Sequence, residues 1–284
     1  MVKFGYIIYL LCLLSCFGSC NATTLSDGDR HVLKSFWEYA GEKKLTDMPV
    51  NERIPVIARF FLDKPYKAGT LNVTKSELPV INLRELDCVT LVENVLALAF
   101  LDHYDNTAIA QFIDNIVKLR YRNGEIVDYT SRLHYSSDWL YEMGRQNFLT
   151  DVTKNTGGQI LPLDIYFMSR NYTKYSALAQ NPKLIPPIRD IETAINKRTY
   201  YYIPKEKVNE AYGRIQDGDV ILITTNIKGL DTSHLGFALK KNGNIYLLHA
   251  SSMGKKVMVT EVPLKEYMAD IKNQTGIMVA RVIK

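Results

Sequence analysis

Cys88, His234 and His249 are the residues whose types and settings invite chemistry. Of the four cysteines, Cys12, Cys16 and Cys20 crowd the start of the chain, and Cys88 stands alone in its body. Cys88 opens the apolar run "CVTLVENVLALAF" directly after Asp87, a residue type that favours a helix N-cap. This predicts Cys88 on a first helical turn, where free amide hydrogens and the helix dipole favour an anion and lower a thiol pKa. A thiolate, an imidazole that shares its proton and a third polar group that orients the imidazole form a general arrangement for nucleophilic catalysis. The backbone N–H of Cys88 would then be placed to stabilise a tetrahedral oxyanion.

The two histidines can be brought together by a turn. In "LGFALKKNGNIYLLHAS" the Asn242-Gly243 pair suits the centre of a two-residue type I′ turn, because both positions require positive φ. Pairing from that turn sets Lys241 opposite Asn244, Leu239 opposite Tyr246 and Gly236 opposite His249. His234 then falls opposite Ser251, diagonal to His249 and on the same face, within reach of it. A slip of one residue would put the imidazoles on opposite faces. Two other readings stand beside the triad: a buried packing cysteine with a satisfied half-buried histidine, and a Cys-His-His zinc site. No closely spaced ligand pair such as C-x-x-C supports zinc, and no metal or cofactor is expected.

The elements that must position these groups follow from periodicity. The region 25–62 reads as two helices, the first capped by Ser26 or Asp27 and the second running from about Pro49 to Leu62. The stretch 63–86 is irregular, and 88–120 is helical with a break near Asp105 and Asn106; its apolar residues Val89, Leu91, Val92, Val95, Leu96 and Leu98 read as core. Residues 121–161 have the polar, aromatic composition of functional loops, and helices return near 163–180 and 187–197. From Tyr200 short β-rich runs predict an antiparallel meander, giving an α+β chain.

Composition excludes several classes. With 284 residues, 46% hydrophobic and 23% charged, the chain is globular, and its net charge of +5 is scattered rather than grouped, so nucleic acid is not an expected partner. Lys3 followed by "YIIYLLCLL" (6–14) reads as a secretory leader, too short to span a bilayer. Cys16 and Cys20 each follow a serine, as lipoprotein cleavage requires; the alternative is ordinary cleavage near Asn21 or Ala22. The exported part would then hold one cysteine and no internal disulfide.

Four stretches in order, "LDCVTLVE", "IQDGDVILI", "SHLGFAL" and "YLLHASS", resemble the NlpC-type papain-fold cell-wall hydrolases. With "SRLHYSSDW", "IYFMSRNYTKY", "GLDTSH" and "TGIMVARV", the chain resembles more closely the N-acetylmuramoyl-L-alanine amidase-like branch, over most of residues 80–284. The resemblance implies a papain-like core, and with no internal repeat or low-complexity linker the chain reads as a single domain over 21–284 behind a leader at 1–20. Within it would lie an N-terminal helical extension (25–80), a helical half with a substrate loop (86–198) and a β half (199–284). It implies Cys88 as nucleophile, His234 as general base and acid, and His249 as orienting residue. The implied reaction is cleavage of the lactyl–L-Ala amide of muropeptides, including anhydro-muropeptides, in cell-wall turnover or recycling. The periplasm or cell envelope is the implied location, with a lipid anchor if Cys16 or Cys20 is acylated.

One departure concerns the bond cut. Related endopeptidases carry Asp-Cys-Ser, whose Asp and Ser grip the free amine of L-Ala, whereas here Val89 follows Cys88 and only Asp87 remains. Arg132, His134, Tyr135, Ser137 and Trp139 are expected substrate contacts, aromatic faces suiting pyranose rings and a guanidinium suiting a stem-peptide carboxylate. Against this, Tyr135 and Trp139 could instead close the core. Asp231, three residues before His234, is either a further contact or a turn residue only. A stem-peptide endopeptidase on the same triad and a non-catalytic muropeptide-binding protein are the functional alternatives.

Overall fold

A computed structural model describes residues 25–72 and 77–283; the leader at 1–20, with Cys16 and Cys20, lies outside them. Two helices open the chain, α1 (Asp27–Glu42) and α2 (Val50–Phe60). The hydroxyl of Ser26 accepts from the Asp29 N–H to cap α1, and Pro49 precedes α2. The helical half continues with α3 (Cys88–Ala99), α4 (Ile109–Arg120) and α5 (Ser136–Arg145), then the short α6 (Phe167–Arg170) and α7 (Ser176–Gln180), and α8 (Ile185–Asn196). One-turn α9 (Leu264–Ala269) precedes the last strand.

Eight strands form one antiparallel sheet: β1 (Leu149–Asp151), β2 (Gln159–Leu161), β3 (Tyr200–Pro204), β4 (Val220–Thr225), β5 (Thr232–Lys241), β6 (Asn244–Ser251), β7 (Lys256–Val259) and β8 (Gln274–Val282). Their order is β2-β3-β8-β4-β5-β6-β7, with β1 also on β8. The expected meander therefore holds from β4 to β7, but the final strand returns to the middle, between β3 and β4. Hydropathy does not reveal that return, since a strand buried on both faces reads alike wherever it is inserted. The fold is α+β, a helical half against an antiparallel sheet, as expected.

Alternation along the strands divides the core. Val220, Leu222, Phe237, Leu248 and Met278 pack beneath the helices, while Ile221, Ile223, Ala238, Leu247 and Ile277 face α9 and the 205–215 segment. The region 121–161, expected as loops, instead contains α5. Its Trp139, Leu140 and Met143 lie on one buried face, and its buried acids are paired: Asp138 with Arg122 and Arg198, Glu142 with Arg145.

Helix α3 is buried along nearly its whole length, which suits its nearly continuous apolar composition. Both ends are tied. Asp87 and Thr90 form a reciprocal capping box, with the Thr90 N–H donating to Asp87 Oδ1 at 2.8 Å and the Asp87 N–H donating to Thr90 Oγ1 at 2.9 Å. At the other end Arg53 donates to the carbonyls of Ala99 and Leu101, at 3.2 and 2.8 Å. Midway, Arg120 of α4 reaches Glu93 through Nε at 2.9 Å and Nη2 at 2.7 Å. The N-terminal helix also steadies the approach to α3, because buried Asp29 accepts from the Leu83 N–H at 2.9 Å and from Arg84 Nε at 3.1 Å. Replacing Asp87 by Ala removes the cap, worth about 1 kcal/mol, and is expected to lower Tm by roughly 2–4 °C in thermal denaturation. An unchanged Tm would show that the cap does not hold this helix start.

Candidate active site

Cys88 sits on the first turn of α3, at the end of the helix that meets strand β5. The backbone N–H groups of Cys88, Val89 and Leu235 all address its sulfur. Leu235 can do so because β5 and β6 pair only from Phe237↔Leu248 to Lys241↔Asn244 and part beyond that point. The residue keeps a partly open surface, but the sulfur itself is enclosed, and its pKa is pushed up to about 12. Burial is the larger cause and the Asp87 carboxylate the second; together they outweigh the three amides. The expectation of a lowered pKa is thus reversed, since the carboxylate that caps the helix also repels a thiolate.

The hairpin has the register read from its turn. Asn242 and Gly243 have φ of 52° and 78°, and Leu239 lies opposite Tyr246. His234 and His249 share the face of Ala238 and Leu247, and His234 Nε2 is 2.6 Å from His249 Nδ1, the rings edge to face. Gly236 makes room for this. A Cβ there would stand 2.6 Å from the Leu248 carbonyl oxygen and 2.9 Å from His249 Cβ. Burial lowers the His234 pKa to about 4; burial and then the neighbouring imidazole lower that of His249 to about 3. Both rings are therefore neutral at physiological pH. If the Nε2–H of His234 donates to His249, its Nδ1 carries a lone pair able to take a proton.

The same distance bears on the zinc alternative. Two imidazole nitrogens on one tetrahedral zinc stand about 3.3 Å apart, given bond lengths near 2.0 Å, whereas these two face each other as donor and acceptor. Among the described residues, no group of three or more His, Cys, Asp or Glu side chains is arranged to hold a metal ion.

Two tyrosines escaped the sequence reading. Burial, and after it the proximity of Cys88, raises the pKa of both Tyr66 and Tyr267, and the Tyr267 ring packs edge-on against His249 at 5.3 Å. Tyr66 is brought there by strand-like bonds, its N–H to the Lys255 carbonyl and the Lys67 N–H to the Leu86 carbonyl. Neither carries a local signal, because their proximity to Cys88 comes only from long-range pairing.

Most of the expected substrate contacts prove to be internal. Arg132 is bound in a two-pronged pair to Glu77 and also donates to Asn72 Oδ1 at 3.0 Å and the Leu71 carbonyl at 3.1 Å, so its guanidinium is already occupied. Buried Tyr135 donates to Glu192 at 2.7 Å and accepts from the Met168 N–H. Ser137 is buried, its N–H donating to Asp231 Oδ2 at 2.7 Å, and Asp231 also accepts from the Thr232 N–H. Asp231 thus organises the entry to β5 from within rather than facing a ligand. Trp139 is largely buried and donates to the Leu119 carbonyl. Only His134 and the edge of Trp139 reach a recess beside α3. Asp87 serves as cap and neighbour of the thiol. Val89, expected in the core, is 40% exposed and borders that recess, whereas its neighbour Thr90 on the same turn is buried.

Residues 56–277 match a family model described as N-acetylmuramoyl-L-alanine amidase-like. A Bacteroides uniformis N-acetylmuramoyl-L-alanine amidase of known crystal structure is 39% identical, the match covering 83% of this chain and 99% of that one, with a TM-score of 0.79. A Bacteroides fragilis structure provisionally named a xylanase is also 39% identical, over 80% of this chain and 100% of that one, with a TM-score of 0.76. A Legionella pneumophila structure at 21% identity, covering 89% and 94% of the two chains with a TM-score of 0.64, is alike in fold. No match is found among curated proteins.

Two outcomes are expected from this geometry. Gly236→Ala should displace β6 and His249, reducing kcat/KM of any hydrolysis centred here by at least about 10-fold with little loss of secondary structure; an unchanged rate would show that the imidazole pair does not depend on that close approach. A thiol whose pKa is raised stays protonated at neutrality. Alkylation of Cys88 by iodoacetamide should therefore be slow at pH 7 and climb about 10-fold per pH unit up to pH 9. A plateau below pH 8 would contradict this.

Proposed function

The chain belongs to the N-acetylmuramoyl-L-alanine amidase-like family, and we propose that it hydrolyses the amide between the muramic acid lactyl group and L-Ala of muropeptides, with Cys88 as nucleophile. The observation that carries this reading is the hydrogen bond between His234 of β5 and His249 of β6, next to Leu235, whose N–H addresses the Cys88 sulfur. Family membership supports a peptidoglycan amidase; the cysteine mechanism is our extension.

The resting pair is a neutral thiol and a neutral imidazole. As sulfur attacks the lactyl carbonyl, the thiol proton passes to His234, so the thiolate never has to persist in its enclosed setting. The Nε2–H of the resulting imidazolium still donates to His249, which holds the ring in place, as the third member of a triad does. Backbone N–H groups at the start of α3 stabilise the oxyanion. The C–N bond then breaks, His234 gives its proton to the departing L-Ala amine, and the sugar acyl remains on sulfur as a thioester. A water molecule that surrenders a proton to His234 hydrolyses it, and the proton returns to sulfur.

Val89 in place of the endopeptidase serine favours the sugar–peptide junction over a bond within the stem. The name carried by the B. fragilis relative calls for a pair of acid side chains flanking a glycosidic bond, whereas the groups gathered here are a thiol and two imidazoles. The apolar leader and the cysteines behind it support export, with acylation of Cys16 or Cys20 anchoring the enzyme at a membrane face in the cell envelope. There it would act in cell-wall turnover or recycling, on released anhydro-muropeptides among other fragments.

Digestion of defined muropeptides, read by mass, tests this assignment. The wild type is expected to give free sugar and intact stem peptide, while Cys88→Ala loses at least about 10³-fold in rate. A split stem peptide would identify the endopeptidase, and stem release by Cys88→Ala would remove the cysteine mechanism.

A further inference from the structure

Beside the nucleophile lies a recess of about 30 Å³. It adjoins the residues around the sulfur, since one wall is Leu235, whose N–H addresses Cys88, and another is Val89, the next residue along α3. Val92, Leu133 and Trp139 complete the apolar lining, with His134 at its border. Of the polar groups around it, Ser136 stands in the wall, its Oγ accepting from Thr232 Oγ1 at 2.6 Å, while two others are directed elsewhere. His134 Nε2 is bonded to the Tyr129 carbonyl at 2.8 Å, and Trp139 Nε1 donates to the Leu119 carbonyl at 2.9 Å. Glu93, which also borders the recess, binds Arg120 through one carboxylate oxygen, Oε2. The recess is thus mainly apolar, with the Ser136 hydroxyl and the Glu93 carboxylate at its edge, and offers favourable burial to an apolar group. Its volume is about that of one or two water-sized groups, which a methyl branch fills and a larger side chain exceeds.

We propose that this recess is the specificity pocket for a methyl branch next to the scissile amide, and that Val92 and Val89 set its size. The assignment rests on the amidase reading above, because it is the lactyl–L-Ala bond that carries a methyl on either side. It also accounts for Val89, an exposed apolar residue at the helix start, as a surface that substrate covers. The branch has two sources, the lactyl methyl on the acyl side or the alanine methyl on the amine side, and the test separates them.

Two series of disaccharide peptides serve as substrates for the full chain. One replaces the first stem residue, L-Ala, by Gly, 2-aminobutyrate or valine; the other replaces the lactyl group by glycolyl. Removal of the methyl that occupies the recess is expected to lower kcat/KM about 10-fold or more, in one series only, and that series names the source. Val92→Ala, which deepens the recess, should shift preference at the same position toward the branch one carbon longer, and Val92→Ile should sharpen the rejection of it. Val89→Ala, at a half-open position, widens the mouth and is expected to shift preference in the same direction should the Val92 variants fold poorly. Loss of neither methyl affecting kcat/KM, or selectivity unmoved in all folded variants, overturns the proposal while leaving the amidase reading intact. A wild type that cleaves no lactyl–L-Ala bond overturns the amidase reading itself, and this pocket's role with it.

Discussion

The 2.6 Å contact between His234 Nε2 and His249 Nδ1 is the interaction on which the candidate centre depends, and it is fixed by backbone rather than by the rings. A two-residue turn at Asn242-Gly243, both at positive φ, fixes the β5–β6 register. That register sets Gly236 against His249, where a side chain would strike the Leu248 carbonyl. Beyond the last ladder pair the strands part. That parting frees the Leu235 N–H for the sulfur. Without that parting, β5 would spend the amide on β6, and the thiol would lose one of its three donors.

Burial decides the electrostatics of the centre. Three backbone amides favour a thiolate, yet desolvation and the Asp87 carboxylate push the thiol pKa up to about 12. The same burial pushes the two histidines down to about 4 and 3. The two effects act together, leaving thiol and base uncharged across the neutral range. On the proposed mechanism, the charge separation required by attack would be made only when a carbonyl arrives to receive the electrons, a neutral-pair regime rather than a standing ion pair. Asp87 serves opposing ends: it holds the helix start in place and makes the resting thiol less acidic.

Much of this was legible in sequence where the governing physics is local. An N-cap aspartate ahead of an apolar run located Cys88, and a two-residue period counted from an Asn-Gly turn placed two histidines on one face. Non-local features were not legible. Arg132, Tyr135 and Trp139 have the composition of a sugar-binding loop, but their polar atoms end on Glu77, Glu192 and the Leu119 carbonyl, and residue type alone cannot say which partner wins. Tyr66 and Tyr267 reach the centre through pairings and packing far from it in sequence. The sign of the thiol shift was misjudged for the same reason: helix position is local, whereas enclosure is tertiary. The central position of β8 likewise depends on which strand edge was left open, which no single run of residues records.

The claim at the centre of this account is that Cys88 carries the sugar acyl group during turnover. Rapid acid quench of the enzyme with a disaccharide-tetrapeptide, followed by mass analysis of the intact chain and of its Cys88 peptide, tests it directly. The account predicts an adduct on Cys88 whose mass is that of the sugar acyl with no amino acid attached. An adduct carrying stem residues, or sugar and peptide products formed at undiminished rate by Cys88→Ala, would contradict it.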